Sequence, residues 1–175
     1  GGARGDGTLN DAPTINAMIQ FTADVLQGGR IYFPSGTYRI TQTIRLANNV
    51  WLQGDGPSTT ELLIGDATVI KAANAMSSMI DVDLATDEEV KCRFCTISDL
   101  TLDGSDFAIT YALLLKGVQH KVRNIAISEI SGTCLRILGS TLAPDPVTYS
   151  WVNWVQDCFF SNATGYSIWA DCSDS

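Results

Sequence analysis

The sequence predicts an all-β fold, a parallel β-solenoid with a capping α-helix at its N-terminal end. Three observations predict it: one amphipathic helical run near the start, short alternating or aliphatic runs after it, and a repeat of those runs. With 175 residues and 45% apolar content, the chain is long enough for one cored domain or a segment of one. Its 11 Lys and Arg face 19 Asp and Glu, a formal charge of -8, and no long basic run occurs. That excludes the electrostatic footprint of a nucleic-acid binder, and a polyanion would need a local basic site to capture it. The longest strongly apolar stretch, Tyr111 to Leu115, stops at Lys116, far short of the roughly 20 residues that span a bilayer, so no membrane crossing is expected. Five cysteines, an odd number, do not read as a disulfide framework. Cys92 and Cys95 form a lone CxxC, half of a tetrahedral zinc site, and the single histidine, His120, has no partner at H-x3-5-H spacing. Buried free thiols are expected, with no metal and no cofactor.

The helix comes first. Asp11 suits an N-cap and Pro13 the first turn, Ile15, Met18, Ile19, Thr22, Val25 and Leu26 line one face, and Gly28-Gly29 ends the run. Residues 1–29 are thus expected to form the cap and residues 30–175 the coils. Runs such as Arg30-Ile31-Tyr32-Phe33, Thr37-Tyr38-Arg39-Ile40 and Val50-Trp51-Leu52 carry strand chemistry bounded by turn residues. The repeat is clearest later. Val122, Asn124, Ile125, Ile127 and Ser128, then Gly132, Leu135 and Ile137, match Val155, Asp157, Cys158, Phe160 and Ser161, then Gly165, Ile168 and Ala170. A third copy starts at Ile97, Asp99, Leu100 and Leu102 and reaches Leu113 and Leu115, 22 residues before Leu135 and Ile137. About 22 residues plus insertions suit one solenoid circuit, and about six circuits fit the chain. Asp99, Asn124 and Asp157 then stack at a corner, where Asx side chains tolerate αL geometry, and Cys158 takes the core place of Leu100 and Ile125. A solenoid needs both ends covered, so the coils are expected to continue past residue 175 or to be covered there by another chain.

The segments Gly2-Ala3-Arg4-Gly5-Asp6-Gly7-Thr8-Leu9-Asn10-Asp11, Gly28-Gly29-Arg30-Ile31-Tyr32-Phe33-Pro34-Ser35-Gly36-Thr37-Tyr38-Arg39-Ile40 and Val50-Trp51-Leu52-Gln53-Gly54-Asp55-Gly56 resemble the opening of the pectate-lyase-like superfamily. These are right-handed, single-stranded parallel β-helices. They include phage tailspikes and capsule depolymerases, glucanases, galacturonases and alginate epimerases. Asn10 departs from the pattern, which more often has a second Asp before Asp11. Arg4-Gly5-Asp6 spells an adhesion tripeptide but falls inside this motif. The resemblance implies a polysaccharide-binding and polysaccharide-cleaving β-helix, hydrolase or lyase, as part of a homotrimeric tailspike or depolymerase outside the cell, on a virion tail or secreted. Two other readings stand beside it. One is a non-enzymatic structural or receptor-binding β-helix. The other is a secreted microbial pectinase or glucanase, for which Asn162-Ala163-Thr164 is a usable glycosylation acceptor.

If Leu113, Leu115, Leu135, Ile137, Ile168 and Ala170 point inward, strand alternation sends Leu114, Lys116, Arg136, Leu138, Trp169 and Asp171 outward from one sheet. The resemblance implies that glycans lie along that sheet. Arg136 and Lys116 are suited to uronate or sialate carboxylates. Tyr149, Trp151 and Trp154, in or beside the insertion spanning 140–153, and Trp169 offer flat faces for sugar rings or, alternatively, pack a loop or a subunit interface. Hydrolysis needs two carboxyl groups; Asp171 stands on the strip and Asp103 or Asp106 in a flanking loop, which makes Asp106 with Asp171 a permissible pair. A lyase needs a base beside an acidified C5 proton, which Lys116 and Arg136 approach. Asp81, Asp83, Asp87, Glu88 and Glu89 read as a solvated acidic loop.

Overall fold

The computed structural model describes residues 2–58, 67–82, 94–105, 107–116, 119–138, 140–141, 148–149 and 153–171. In chain order these form β1 (Asp6–Asn10), α1 (Ala12–Asp24), β2 (Gly29–Tyr32), β3 (Gly36–Ile40), β4 (Ile44–Arg45), β5 (Val50–Gln53), β6 (Thr68–Ala72), β7 (Met76–Val82) and β8 (Thr96–Asp103). There follow β9 (Ile109–Lys116), β10 (Lys121–Ser128), β11 (Thr133–Leu138), β12 (Ser140–Thr141), β13 (Thr148–Tyr149), β14 (Trp154–Gln156), β15 (Phe159–Phe160) and β16 (Ile168–Asp171).

The chain is a right-handed parallel β-helix, in which strands pair with their equivalents one circuit on. The larger sheet runs β1-β3-β6-β8-β10-β14, with β2 joined to β5, β5 to β8 and β15 to β10. The smaller sheet runs β4-β7-β9-β11-β16. All these pairs are parallel, and the small β12–β13 hairpin inside the predicted insertion is antiparallel.

Registered pairing turns the repeat into core columns. Ile31, Leu52, Ile97 and Val122 stack as one buried column, and Ile44, Ile80, Leu113 and Leu135 as another. Burying each such side chain stabilises by about 1.5–3 kcal/mol. The repeated glycines mark a close approach of successive coils. A Cβ on Gly132 would stand 2.2 Å from the Thr110 carbonyl oxygen, and one on Gly165 would stand 2.7 Å from that of Gly132. No side chain fits there.

The Asx corner is present as expected. Asp99, Asn124 and Asp157 hold positive φ of 60°, 49° and 52°, and the Asn124 amide donates to Asp99 Oδ1 at 2.9 Å. The Asn162 amide donates to Glu129 Oε1 at 2.6 Å at a second corner.

The helix differs in detail. Asp11 occupies the N-cap without a side-chain cap bond; its carboxylate instead accepts from the backbone N–H of Arg4 at 2.8 Å and Gly5 at 3.4 Å, tying the first turn of chain to the helix start. Ala12, Ile15, Ile19 and Thr22 are buried, whereas Met18, Val25 and Leu26, expected on that face, are 36%, 62% and 59% exposed. The buried stripe is narrow because the helix rests its side on the coils. Gln27 at φ 59° and Gly28 at φ 123° then turn the chain into β2.

Candidate functional site

The smaller sheet is where register places Lys116, Arg136, Trp169 and Asp171. Pairing sets Arg136 beside Trp169 and beside Leu114, and Leu138 beside Asp171 and Lys116. These residues share the expected rows, but exposure does not follow the expected alternation, and Ile168, expected inward, is 45% exposed. Arg136 is nonetheless only 6% exposed, and Leu114 9%, while Trp169 is 40% exposed. The Arg136 guanidinium lies 3.7 Å from the centre of the Trp169 ring, and the Tyr166 ring packs against Trp169 at 5.3 Å. A guanidinium over an indole face is a cation–π contact.

The same row extends further than expected. Leu114 pairs with Asp81, and Asp81 with the position of Arg45 through the β7–β4 register. Asp81 is therefore not part of an acidic loop: it lies in strand β7, half-buried, two strands from Arg136. The signal was available in Ile80-Asp81-Val82, which stands 33 residues before Leu113-Leu114-Leu115, but the acidic run after it obscured the alternation. Asp81 and Asp171 are three strand spacings and two residues apart, about 16 Å, beyond the ~9.5 Å that an inverting hydrolase spans.

Lys116 is half-buried at the end of β9. Its carbonyl bonds the His120 ring at Nε2, 2.9 Å away. Burial of His120 holds its pKa below the ordinary imidazole range, partly offset by that bond. Burial likewise raises the Cys134 thiol to about 11, so it is a core thiol rather than a nucleophile.

The remaining expected residues are distributed unevenly. Trp154 lies not on this sheet but on the larger one, paired with Lys121. Tyr149 sits on the hairpin strand β13, paired with Ser140. Asp171 is placed by register alone. Asp106, Trp151 and Cys92 lie outside the described residues, as do Asp83, Asp87, Glu88 and Glu89. Among the described residues no group of three or more His, Cys, Asp or Glu side chains is placed to hold a metal ion. No helix among them is long and apolar enough to cross a membrane.

Comparison with known proteins adds to this geometry. The family model described as rhamnogalacturonase A/epimerase, pectate lyase-like matches residues 1–89. Mannuronan C5-epimerase AlgE1 of Azotobacter vinelandii is 36% identical over 111 residues, 59% of this chain and 7% of that protein. Plasmin and fibronectin-binding protein A of Streptococcus pneumoniae is 29% identical over 131 residues, 75% of this chain and 17% of that protein. Among solved structures, ORF18 of Geobacillus virus E2 superposes with a TM-score of 0.63 at 20% identity, over 97% of this chain and 38% of that one. The chain therefore spans a minor part of the length of each.

Proposed function

The chain belongs to the rhamnogalacturonase A/epimerase, pectate lyase-like family, and on that premise we propose that it binds an acidic polysaccharide along the outer face of its smaller sheet and acts at the uronate C5 proton. The observation that carries this reading is the Arg136 guanidinium 3.7 Å over the Trp169 ring, in the row those two residues share across β11 and β16. A cation there pairs with a uronate carboxylate, and neutralising that carboxylate acidifies the adjacent C5–H. Lys116, one strand over and two residues along, about 8 Å by strand geometry, is the group we assign to receive that proton. The resulting carbanion either expels the C4 oxygen, as in a lyase, or takes a proton back on the other ring face, as in an epimerase. Trp169 supplies a flat face for the neighbouring sugar. The similarity to a mannuronan C5-epimerase supports a uronate substrate.

The full-length protein incubated with polyuronates is expected to give unsaturated uronate ends, seen by ultraviolet absorbance, or inverted C5 centres, seen by NMR. Release of saturated reducing ends, abolished by Asp171→Asn, would replace this reading with hydrolysis by Asp106 and Asp171. The similarity to plasmin and fibronectin-binding protein A favours a second reading, a non-enzymatic binding β-helix. It requires binding of a protein or glycan partner with no product formed from a polyuronate. The finer assignment is a homotrimeric tailspike or depolymerase outside the cell. Light scattering on the full-length protein tests it, since a monomer contradicts it.

A further inference from the structure

We propose that the outer face of the larger sheet carries a second binding strip, for an anionic polysaccharide chain lying along the solenoid axis. The strip is built by register. Arg30, Trp51, Thr96, Lys121 and Trp154 form one row across β2, β5, β8, β10 and β14. Tyr32, Gln53, Ser98, Arg123 and Gln156 form the row beside it. Four strand spacings make each row about 19 Å long.

Cations and indoles alternate along it. Arg30 and Arg123 each stand 5.7 Å from the Trp51 ring centre, and Lys121 stands 5.4 Å from that of Trp154. Among the described residues the one ion pair is Lys71 with Asp103, so none of these three cations has a described carboxylate at ion-pair distance. The acids nearby are already occupied. Asp99 accepts from Asn124 at 2.9 Å, Ser98 at 2.8 Å and Gln53 at 3.2 Å. Asp55 accepts from Tyr32, from the Ser35 hydroxyl at 2.8 Å and from the Ser35 N–H at 2.7 Å. The Trp51 indole is fixed by donation to Ser98 Oγ at 2.9 Å. Arg30, Tyr32, Gln53, Asp55, Asp99 and Arg123 line a shallow cleft of about 530 Å³.

Arg30 donates to Gln53 Oε1 at 3.1 Å; cations without a described carboxylate at ion-pair distance invite an anion, and flat indoles invite rings. Fixed acceptors between them suit hydroxyl donors and repel a dense polyphosphate, which the chain's charge of -8 also disfavours. An acidic sugar chain meets all three conditions, and a pyranose unit is about as long as one rung.

This strip is on a different sheet from the site proposed above, so the two can be tested separately. In an Arg136→Gln background of the full-length protein, calorimetry with polygalacturonate is expected still to show binding that neutral dextran does not. Adding Arg30→Gln and Arg123→Gln should weaken it about tenfold or more, the scale of one or two lost charge-assisted hydrogen bonds. Lys121→Gln, at an exposed position, should weaken it in the same direction without disturbing the Trp51 contacts. Unchanged affinity in these variants, equal binding of dextran, or tighter binding of polyglutamate or oligo-dT would overturn the proposal.

Discussion

At the scale of single residues, the αL corner and the buried histidine carry the sharpest expectations. Asn124 holds positive φ and donates to Asp99. Asn124→Ala loses both the bond and a side chain that tolerates αL, and should cost about 1–2 kcal/mol in urea unfolding. His120 is buried, and burial lowers its pKa. The unfolded chain therefore takes up the proton first. Stability should be full above pH ~6.5 and decline as pH falls below it, through the lowered folded-state pKa. Because the chain has one histidine, His120→Gln should flatten the dependence of melting temperature on pH in that window, and an unchanged slope would refute the assignment. The corner was legible because Asx residues recur at matching places in the repeat. The contact between Arg136 and Trp169 was not, since alternation gives which face a side chain takes but not which neighbour it lies on.

Among the elements, the smaller sheet offers a contrast within one column. Leu135 is fully buried, and Leu135→Ala should cost about 2–5 kcal/mol. Ile168, its partner on β16, is 45% exposed, so Ile168→Ala should cost distinctly less in the same denaturation assay. Equal losses would show that the last rung is better covered than the structure indicates. The elements that escaped sequence reading did so for geometric reasons. Trp51 pairs with Thr96, 45 residues later, a separation that hides the repeat. Trp154 precedes Val155, the match of Val122, so its place on the larger sheet beside Lys121 followed from the alignment; reading it with the insertion concealed that. The apolar run Met18, Val25 and Leu26 has helical spacing, but α1 buries only the stripe through Ile15, Ile19 and Thr22.

For the whole molecule, stacked coils explain how a chain with net charge -8 presents local cationic strips. Parallel in-register pairing puts equivalent positions in line, so a few Arg, Lys and Trp residues far apart in sequence become rows on a surface. The fold was legible because its repeat lies in the residues themselves, whereas the partition of the Arg, Lys and Trp residues between two sheets depends on insertion lengths that the base period does not fix. The most direct test of the account is steady-state turnover of a polyuronate by the full-length protein with Arg136→Gln, beside Trp169→Ala as a variant at a half-exposed position. Loss of kcat/KM by about a hundredfold or more in Arg136→Gln, with the melting temperature largely retained and a smaller loss in Trp169→Ala, is the expected result. Unchanged turnover in a folded Arg136→Gln protein would contradict it.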